Sequence, residues 1–229
     1  MSSGFDWLEN YKRPISVTAK AYYGNNIKDL LFSRSFISPP GKIYSYQSGN
    51  TQLLGLLLER ATGKSLSEYA SRVLWSKIGA EKNALWTLDS NGGSEKAFCC
   101  FNSTARDFAK IGKLVLNNGV VGDDVIINPH FFEWLFTVPN LIDGDKKSKL
   151  YKRKLNYYSN SWWFARVLEK DIIYARGFLG QYIVVIPELN LVFVRLGMEE
   201  DASSPSKNDY MLTDNLKFFI KEIIKSYSL

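Results

Sequence analysis

The chain has 229 residues, of which 45% are hydrophobic and 23% charged, a usage typical of globular domains rather than disordered or fibrous chains. Aromatic residues make up 14%, so a large core can form without disulfides or metal ions. The longest apolar stretch, residues 182–196, contains Pro187 and Glu188, which excludes a membrane-spanning helix there.

The N-terminal residues, MSSGFDWLENYKRP, lack the basic start and apolar run of a secretory signal peptide. We therefore expect the chain as given to be cytoplasmic, whereas longer relatives with a leader would be exported. The formal net charge is +6, and basic residues cluster only at residues 146–154, beside Asp143, Gly144 and Asp145. This composition favours a solvated loop, with an anionic surface as the alternative. No stacking or groove-reading motif accompanies the charge, so no nucleic-acid partner is expected.

The first half of the chain is predicted to be mostly helical. Residues 1–43 are rich in loops, with one helix over residues 27–32. A second helix is predicted over residues 50–62, with an apolar face formed by Leu53, Leu54, Leu57, Leu58 and Ala61. Ser65 and Glu68 form a capping-box pattern that starts a helix reaching about residue 75.

Residues 77–101 are predicted to be irregular and contain both cysteines, Cys99 and Cys100. The geometry of a disulfide disfavours a bridge between neighbouring residues. We therefore expect two small buried hydrophobic side chains. A helix follows, from Ser103 or Thr104 to about residue 117, and a shorter one covers residues 129–136.

The pattern then changes to β-branched and aromatic runs at residues 172–175, 182–186 and 191–196, which predict three sequential antiparallel strands. The last two are apolar on both faces, which indicates a sheet covered on each side. An amphipathic helix over about residues 209–226 closes the chain. The order predicts an α/β fold of the α+β type, an antiparallel sheet flanked by helices.

We expect one domain over residues 1–229, with a mostly helical part over about 1–170 and a sheet with its closing helix over about 171–229. Three strands are few for a sheet buried on both faces, which suggests that strands of this sheet are missing.

Residues 40–55, PGKIYSYQSGNTQLLG, place Tyr46 at a junction between a loop and a helix. A tyrosine held there can point its phenolic oxygen into a cleft, and nearby cations would lower its pKa so that it could transfer protons. The alternative is that Tyr46 is one of 13 tyrosines and merely packs at the helix start.

This segment resembles the second motif of the β-lactamase-like, penicillin-recognising serine hydrolases, in which Tyr is followed two positions later by Asn or Ser and then by Leu-Leu-Gly. Ser48 in that place resembles the branch of 6-aminohexanoate-dimer hydrolases and related esterases. The resemblance covers nearly the whole chain and implies a β-lactamase/transpeptidase-like fold. It also implies that Tyr46 is a catalytic proton shuttle.

Residues 174–182, YARGFLGQY, resemble the family's third motif, Lys or His, then Ser or Thr, then Gly. Ala175 and Arg176 occupy the first two places, which makes esterase or amidase activity a better expectation than β-lactamase activity. The resemblance implies that the backbone N–H of Phe178 donates to an oxyanion, in one cleft with Tyr46. The alternative is a glycine-rich hairpin turn. The residues expected to bind substrate are Ser48, Gly177, Gly180, Gln181 and Trp162, although core packing is an equal expectation for Trp162.

The family's nucleophile is a serine in a Ser-x-x-Lys motif at a helix start, where the lysine accepts the serine proton. The only literal match is residues 204–207, which contain Pro205 within a polar loop, and we reject it for that context. We therefore identify no nucleophile in this chain and expect the N-terminal strands and nucleophile helix of such a fold to be missing. A chain inactive alone, or dependent on a separately encoded N-terminal fragment, is the resulting hypothesis.

The resemblance thus implies a serine hydrolase that acts on a small amide or ester through an acyl-enzyme. One alternative is a non-catalytic protein that binds peptides or cell-wall fragments, and another is a basic module that binds anionic surfaces. We expect no cofactor and no metal, because the chain has one histidine and no metal-ligand spacing around its cysteines.

Overall fold

The structure is a computed structural model that describes residues 1–11, 13–137, 142–143, 157–198 and 212–227. Its contacts divide the chain into two compact units. Residues 1–77 and 82–103 form the first unit, and residues 78–81 and 104–229 form the second. The basic cluster at residues 146–154 and the Ser-x-x-Lys match at residues 204–207 lie outside the described residues.

The first unit is mainly helical. Its helices are α1 (Val17–Tyr23), α2 (Ile27–Phe32), α3 (Ser48–Thr62) and α4 (Leu66–Ala70), the last continued by a π-helical turn, Ser71–Trp75. Its short strands are β1 (Ile43–Tyr44), β2 (Leu85–Trp86) and β3 (Phe101–Asn102), of which β2 and β3 pair. Helix α2 confirms its prediction, whereas α1 and the β2–β3 pair lie in segments predicted to be loop.

Side-chain caps explain where two of these helices begin, and a glycine explains where α3 ends. The Ser65 hydroxyl accepts the Glu68 N–H at the start of α4, which confirms the predicted cap. Ser16 accepts the Ala19 N–H in the same way at the start of α1. Gly63 takes a left-handed φ of 66° and ends α3, a conformation that glycine adopts at little cost.

Helix α3 buries a different face from the one predicted. Leu54, Leu57 and Leu58 are exposed at 58%, 61% and 44%. The buried positions along α3 are small or polar: Ser48, Gly49, Asn50, Gln52 and Gly55. The prediction failed because close packing needs small residues here. A Cβ at Gly55 would lie 2.6 Å from the Cβ of Ala97.

The second unit contains a five-stranded antiparallel sheet in the order β11-β10-β9-β8-β7. Its strands are β7 (Tyr157–Ser159), β8 (Trp162–Val167), β9 (Lys170–Gly177), β10 (Gln181–Ile186) and β11 (Leu191–Arg195). The three predicted strands are present, and β7 and β8 extend the sheet on the N-terminal side of the predicted start. The unit also contains α5 (Ala105–Leu116), β4 (Val120–Val121), β5 (Asp124–Val125), α6 (Pro129–Leu135), β6 (Ile142–Asp143), a 3-10 turn (Pro187–Leu189) and α7 (Asp214–Tyr227).

Helices cover both faces of this sheet. Phe164, Ile173 and Val185 are in register on one face and pack with Val115 of α5 and with Phe132 and Leu135 of α6. On the other face, Tyr182 lines a small cavity together with Leu216 and Phe219 of α7. The prediction of an antiparallel sheet flanked by helices is confirmed. Among the strands that the structure describes, however, β11 lies at the sheet edge, and its apolar side chains are only half-buried.

The cysteine prediction is wrong. Cys99 and Cys100 are half-buried rather than buried, and they form a disulfide with each other. The backbone at Cys100 is left-handed, with φ at 66°. This turn differs from an extended strand, where neighbouring side chains point to opposite faces. Among the described residues, no helix has the length and apolarity required to cross a bilayer.

Candidate active site

Tyr46 lies where the sequence predicts it, in the loop that leads directly into α3. Its side chain is 39% exposed, whereas Gln47 and Ser48, which follow it, are buried. The helix then passes close to Trp7: a Cβ added at Gly49 would lie 2.5 Å from a ring carbon of Trp7. The backbone after Tyr46 is therefore closely packed, while the tyrosine itself reaches solvent.

The Glu9 carboxylate is the centre of a hydrogen-bond network at the start of α3. One oxygen accepts the Ser48 hydroxyl at 2.6 Å. The other accepts the Ser48 backbone N–H at 2.8 Å and the Trp7 indole N–H at 2.9 Å. A carboxylate at a helix N-terminus also interacts favourably with the helix dipole. Glu9 thus fixes both the first residue of α3 and the direction of the Ser48 hydroxyl.

Tyr11 joins the same network. Its hydroxyl lies 3.3 Å from the Ser48 oxygen. Burial and a hydrogen bond to Glu9 raise the pKa of Tyr11 well above its ordinary value, and the phenol of Tyr46 also contributes to the increase. Tyr11 is therefore a neutral phenol at physiological pH, and the region around Tyr46 gathers a carboxylate, a second phenol and a serine hydroxyl.

A second network holds the segment from the other side. The Gln47 amide N–H groups donate to the backbone oxygens of Phe5 at 3.0 Å and Trp7 at 2.8 Å. Asn50 donates to the Gln47 side-chain oxygen at 3.1 Å and accepts the Ser3 hydroxyl at 2.5 Å. These buried polar groups connect the start of α3 to the first residues of the chain, so the position of Tyr46 is determined by contacts distant in sequence.

The sequence did not identify Glu9 or Tyr11 as site residues. Both lie in a loop-rich stretch that matches no motif, and Glu9 is 39 positions from Ser48. The only available signal was a carboxylate near a tyrosine in a segment with no hydrophobic period. That signal is too common to select a residue.

In the second unit, Phe178 lies in the hairpin turn between β9 and β10, with 56% of its surface exposed. Gly177 and Gln181 pair across the base of the turn. Leu179 and Gly180 both have positive φ, 60° and 81°. The pairing of β8 with β9 extends only as far as Tyr174, so Gly177 and the Phe178 amide lie beyond it, at the end of β9.

The Gln181 side chain braces this turn. Its amide nitrogen donates to the Gly197 oxygen at 2.5 Å, and its amide oxygen accepts the Gly197 N–H at 3.1 Å. Arg195 donates to the Gly180 oxygen at 2.8 Å. The turn is therefore fixed to the end of β11 and the residues that follow it, and both functions of the Gln181 amide are used in that contact.

Trp162, the remaining predicted site residue, begins β8 and packs against the cluster that contains Phe164 and Phe132. This contact agrees with the alternative of core packing. The predicted residues thus fall into three places: Tyr46 and Ser48 in the first unit, the residues from Gly177 to Gln181 in one turn of the second, and Trp162 in its core. Within the part of the chain described by the structure, no group of three or more His, Cys, Asp or Glu side chains could hold a metal ion.

Comparison with known proteins gives consistent results. A family model described as "Beta-lactamase" matches residues 1–212. A curated relative, the 6-aminohexanoate-dimer hydrolase of Paenarthrobacter ureafaciens, is 26% identical over 170 residues, which are 69% of this chain and 40% of that protein.

Solved structures agree with this match. A Bacillus anthracis protein provisionally named as a 6-aminohexanoate-dimer hydrolase aligns with a TM-score of 0.68 and 26% identity, over 96% of this chain and 50% of its own. A penicillin-binding protein of Bacillus halodurans has the same fold, with a TM-score of 0.53 and 16% identity over 96% of this chain and 75% of its own. The chain thus spans about half the length of the first two relatives. On the extent of the family match, this chain belongs to the β-lactamase family of serine hydrolases.

Proposed function

We propose that this chain supplies the proton-transfer and oxyanion-binding groups of a serine esterase or amidase that reacts through an acyl-enzyme. In this proposal Tyr46 transfers the proton and the Phe178 backbone N–H donates to the oxyanion. The substrate is a small amide or ester. An amide is favoured by the curated relative, whose name states that it hydrolyses 6-aminohexanoate dimers.

The observation that supports this role best is the rigid support around an exposed phenol. Gln47 and Ser48 are buried and hydrogen-bonded on the helix side of Tyr46, while 39% of Tyr46 remains exposed. A tyrosine that only packed against the core would not need an exposed ring on so constrained a backbone. Catalytic groups gain most from this kind of support because their geometry is set before the reaction begins.

The proposed reaction needs a serine nucleophile, which neither the Tyr46 segment nor the Phe178 turn supplies. The only Ser-x-x-Lys in the printed sequence is at residues 204–207, in a polar stretch that contains proline. Without a serine and a lysine beside Tyr46, no acyl-enzyme can form. We infer that the 229 residues alone do not hydrolyse esters and that a nucleophile-bearing segment completes the site.

Strand β11 is the surface best suited to receive such a segment. Among the described residues it pairs only with β10, so its other edge offers backbone N–H and C=O groups. Residues 191–194 read LVFV, and Arg195 at the end of the strand is its only charged residue, so most of this edge lacks the charged or proline residues that usually protect a sheet edge. We infer that a strand from the part of the relatives that this chain does not span pairs with β11.

A hybrid protein tests the catalytic proposal. The half of the Bacillus anthracis protein that this chain does not match is fused ahead of Met1 and assayed with a p-nitrophenyl ester and a fluorophosphonate probe. We expect the hybrid to be labelled and to turn over ester, and the 229-residue chain to do neither. In the hybrid, Tyr46→Phe should lower kcat about 10²- to 10⁴-fold, the usual contribution of acid–base catalysis.

Tyr23→Phe is the matched control, because it removes the same hydroxyl from a side chain that is 85% exposed. Covalent labelling of the 229-residue chain would show a nucleophile within it and contradict the inferred inactivity. Equal kcat values for the Tyr46→Phe and Tyr23→Phe hybrids would contradict the proton-transfer role.

The second candidate is a non-catalytic protein that binds peptides or cell-wall fragments. The observation that favours it is the lack of a well-placed Ser-x-x-Lys motif. Calorimetric titration of the 229-residue chain with D-amino-acid peptides separates the two functions. Saturable binding that Tyr46→Phe weakens, without hydrolysis by the hybrid, would favour the binding protein.

A further inference from the structure

The disulfide between Cys99 and Cys100 has no place in the proposed reaction. It joins neighbouring residues in the turn that leads into β3, with their Cα atoms 3.8 Å apart. Both residues are half-buried, so part of each remains at the surface. The 229 residues contain only these two cysteines, so any thiol chemistry within them belongs to this pair.

The backbone around the pair is held by groups that do not depend on the sulfur–sulfur bond. The Trp86 indole N–H donates to the backbone oxygen of Cys99 at 3.1 Å and to that of Lys96 at 3.0 Å. The oxygen of Cys100 accepts the backbone N–H of Thr87 at 3.1 Å. It also accepts the Asn102 side-chain N–H at 2.9 Å. Both cysteine carbonyls are thus anchored to neighbouring residues of β2 and β3.

The residues just before the pair are anchored as well. Gln52 of α3 is 1% exposed and donates to the backbone oxygen of Glu95 at 2.9 Å. Its side-chain oxygen accepts the Ala97 N–H at 2.8 Å. Phe98 packs against the core cluster of the first unit. Cleavage of the disulfide would therefore leave the turn in place, and the two thiols would remain side by side.

We propose that Cys99 and Cys100 form a reversible thiol–disulfide site whose reduced form binds one trivalent arsenical through both sulfur atoms. In the reduction, a small dithiol gives two electrons and two protons to the bridge and leaves as its own cyclic disulfide. In the binding step, phenylarsine oxide and the two thiols form two As–S bonds and release one water. The oxidised form has no thiol to offer, so binding depends on the redox state.

This arrangement differs from that of an ordinary structural disulfide. The bridge closes only the loop of two neighbouring residues, so it removes little chain entropy and contributes little to stability. In a reducing compartment the pair would be present as the dithiol. Its neighbouring thiols bind a trivalent arsenical without a separate loop-closure cost, because the backbone already holds them together.

The test uses the full chain and phenylarsine oxide. The air-oxidised native protein should show no thiol that reacts with a chromogenic disulfide reagent. After reduction and removal of the reductant, the native protein should show both thiols, and one equivalent of phenylarsine oxide should block both. Cys99→Ser and Cys100→Ser should each lose this tight binding, because a single thiol cannot chelate.

A substitution at Trp86 tests how much the anchored backbone contributes to binding. Trp86→Phe removes the indole N–H that donates to the Cys99 and Lys96 oxygens, and we expect about fivefold weaker arsenical binding from the loss of the contact with Cys99. Trp134→Phe, on a side chain that is 59% exposed in the second unit, is the matched control and should bind as the wild type does.

Three results would overturn the proposal. The first is two reactive thiols in the air-oxidised native protein, because the bridge would then not form. The second is a reduced native protein whose thiols are not both blocked by one equivalent of arsenical. The third is unchanged arsenical affinity in either single cysteine variant. Circular dichroism at each step confirms that the measurements report on folded protein.

Discussion

Removal of the Glu9 carboxylate should destabilise the first unit strongly. Glu9 accepts hydrogen bonds from the Ser48 hydroxyl, the Ser48 backbone N–H and the Trp7 indole N–H, at 2.6, 2.8 and 2.9 Å. Ser48 and Trp7 are buried at 5% and 4% exposure, so water replaces the carboxylate poorly. A buried donor without a partner costs about 1–3 kcal/mol. With partial relief by water at the half-buried Glu9 position, Glu9→Ala should cost about 3–5 kcal/mol.

Glu9→Gln is the finer change. The glutamine keeps one acceptor oxygen in a side chain of similar shape but loses the charge. The free energy of unfolding should therefore fall by about 1–2 kcal/mol, the difference between charge-assisted and neutral hydrogen bonds. The assay is urea unfolding followed by tryptophan fluorescence, with Glu68→Ala as the control. Glu68 is 57% exposed and pairs with Lys64 on the surface, so its removal should change stability by less than about 0.5 kcal/mol.

The order of the three variants decides the question. The urea midpoint should fall most for Glu9→Ala, less for Glu9→Gln and hardly at all for Glu68→Ala. A Glu9→Ala midpoint equal to that of Glu68→Ala would refute the reasoning. In that case the carboxylate would contribute no more than a surface charge, and the support inferred for Tyr46 would lose its main element.

Two further predictions concern a titrating pair in the first unit and a packing contact in the second. Burial and a hydrogen bond with Glu95 raise the pKa of Glu59, against the opposing effect of Lys28. The protonated form therefore stabilises the fold below the ordinary pKa of 4.5, and this contribution is lost as pH rises through the raised pKa. Glu59→Gln should flatten the dependence of the urea midpoint on pH above about pH 4.5, and an unchanged slope would contradict this. A Cβ at Gly112 of α5 would lie 2.5 Å from Cγ1 of Val192. Although alanine favours helices, Gly112→Ala should therefore lower the free energy of unfolding by about 1–3 kcal/mol. A higher urea midpoint in this variant would contradict the clash.

The parts of the fold that the sequence predicted well are those controlled by near neighbours. The cap at Ser65 acts on Glu68, three positions away, and the cap at Thr104 acts on Asp107 at the same spacing. The β-branched run of residues 182–186 likewise carries its own strand preference, and β10 covers it. Short-range rules therefore located helix starts and buried strands without knowledge of the fold.

The predictions failed where distant residues decide the outcome. The buried face of α3 depends on Gln52, whose partners Glu95 and Ala97 lie 43 and 45 positions away. A hydrophobic pattern cannot indicate a polar side chain that is buried because a remote backbone satisfies it. Strand β8 was missed for a related reason, since WWFARV shows no clean alternation and its pairing with β9 supplies the order.

The site shows the same division, and Ser48 illustrates it. Resemblance to the family assigned Ser48 to substrate binding, a prediction that stays untested. Because Glu9 accepts the Ser48 hydroxyl proton at 2.6 Å, the serine oxygen has only acceptor capacity left for another group. The Tyr11 hydroxyl lies 3.3 Å from the same oxygen, so it can donate into that remaining capacity. Ser48 is thus engaged by Glu9 and Tyr11, which are 39 and 37 positions away in the chain, and no local sequence pattern indicates these contacts.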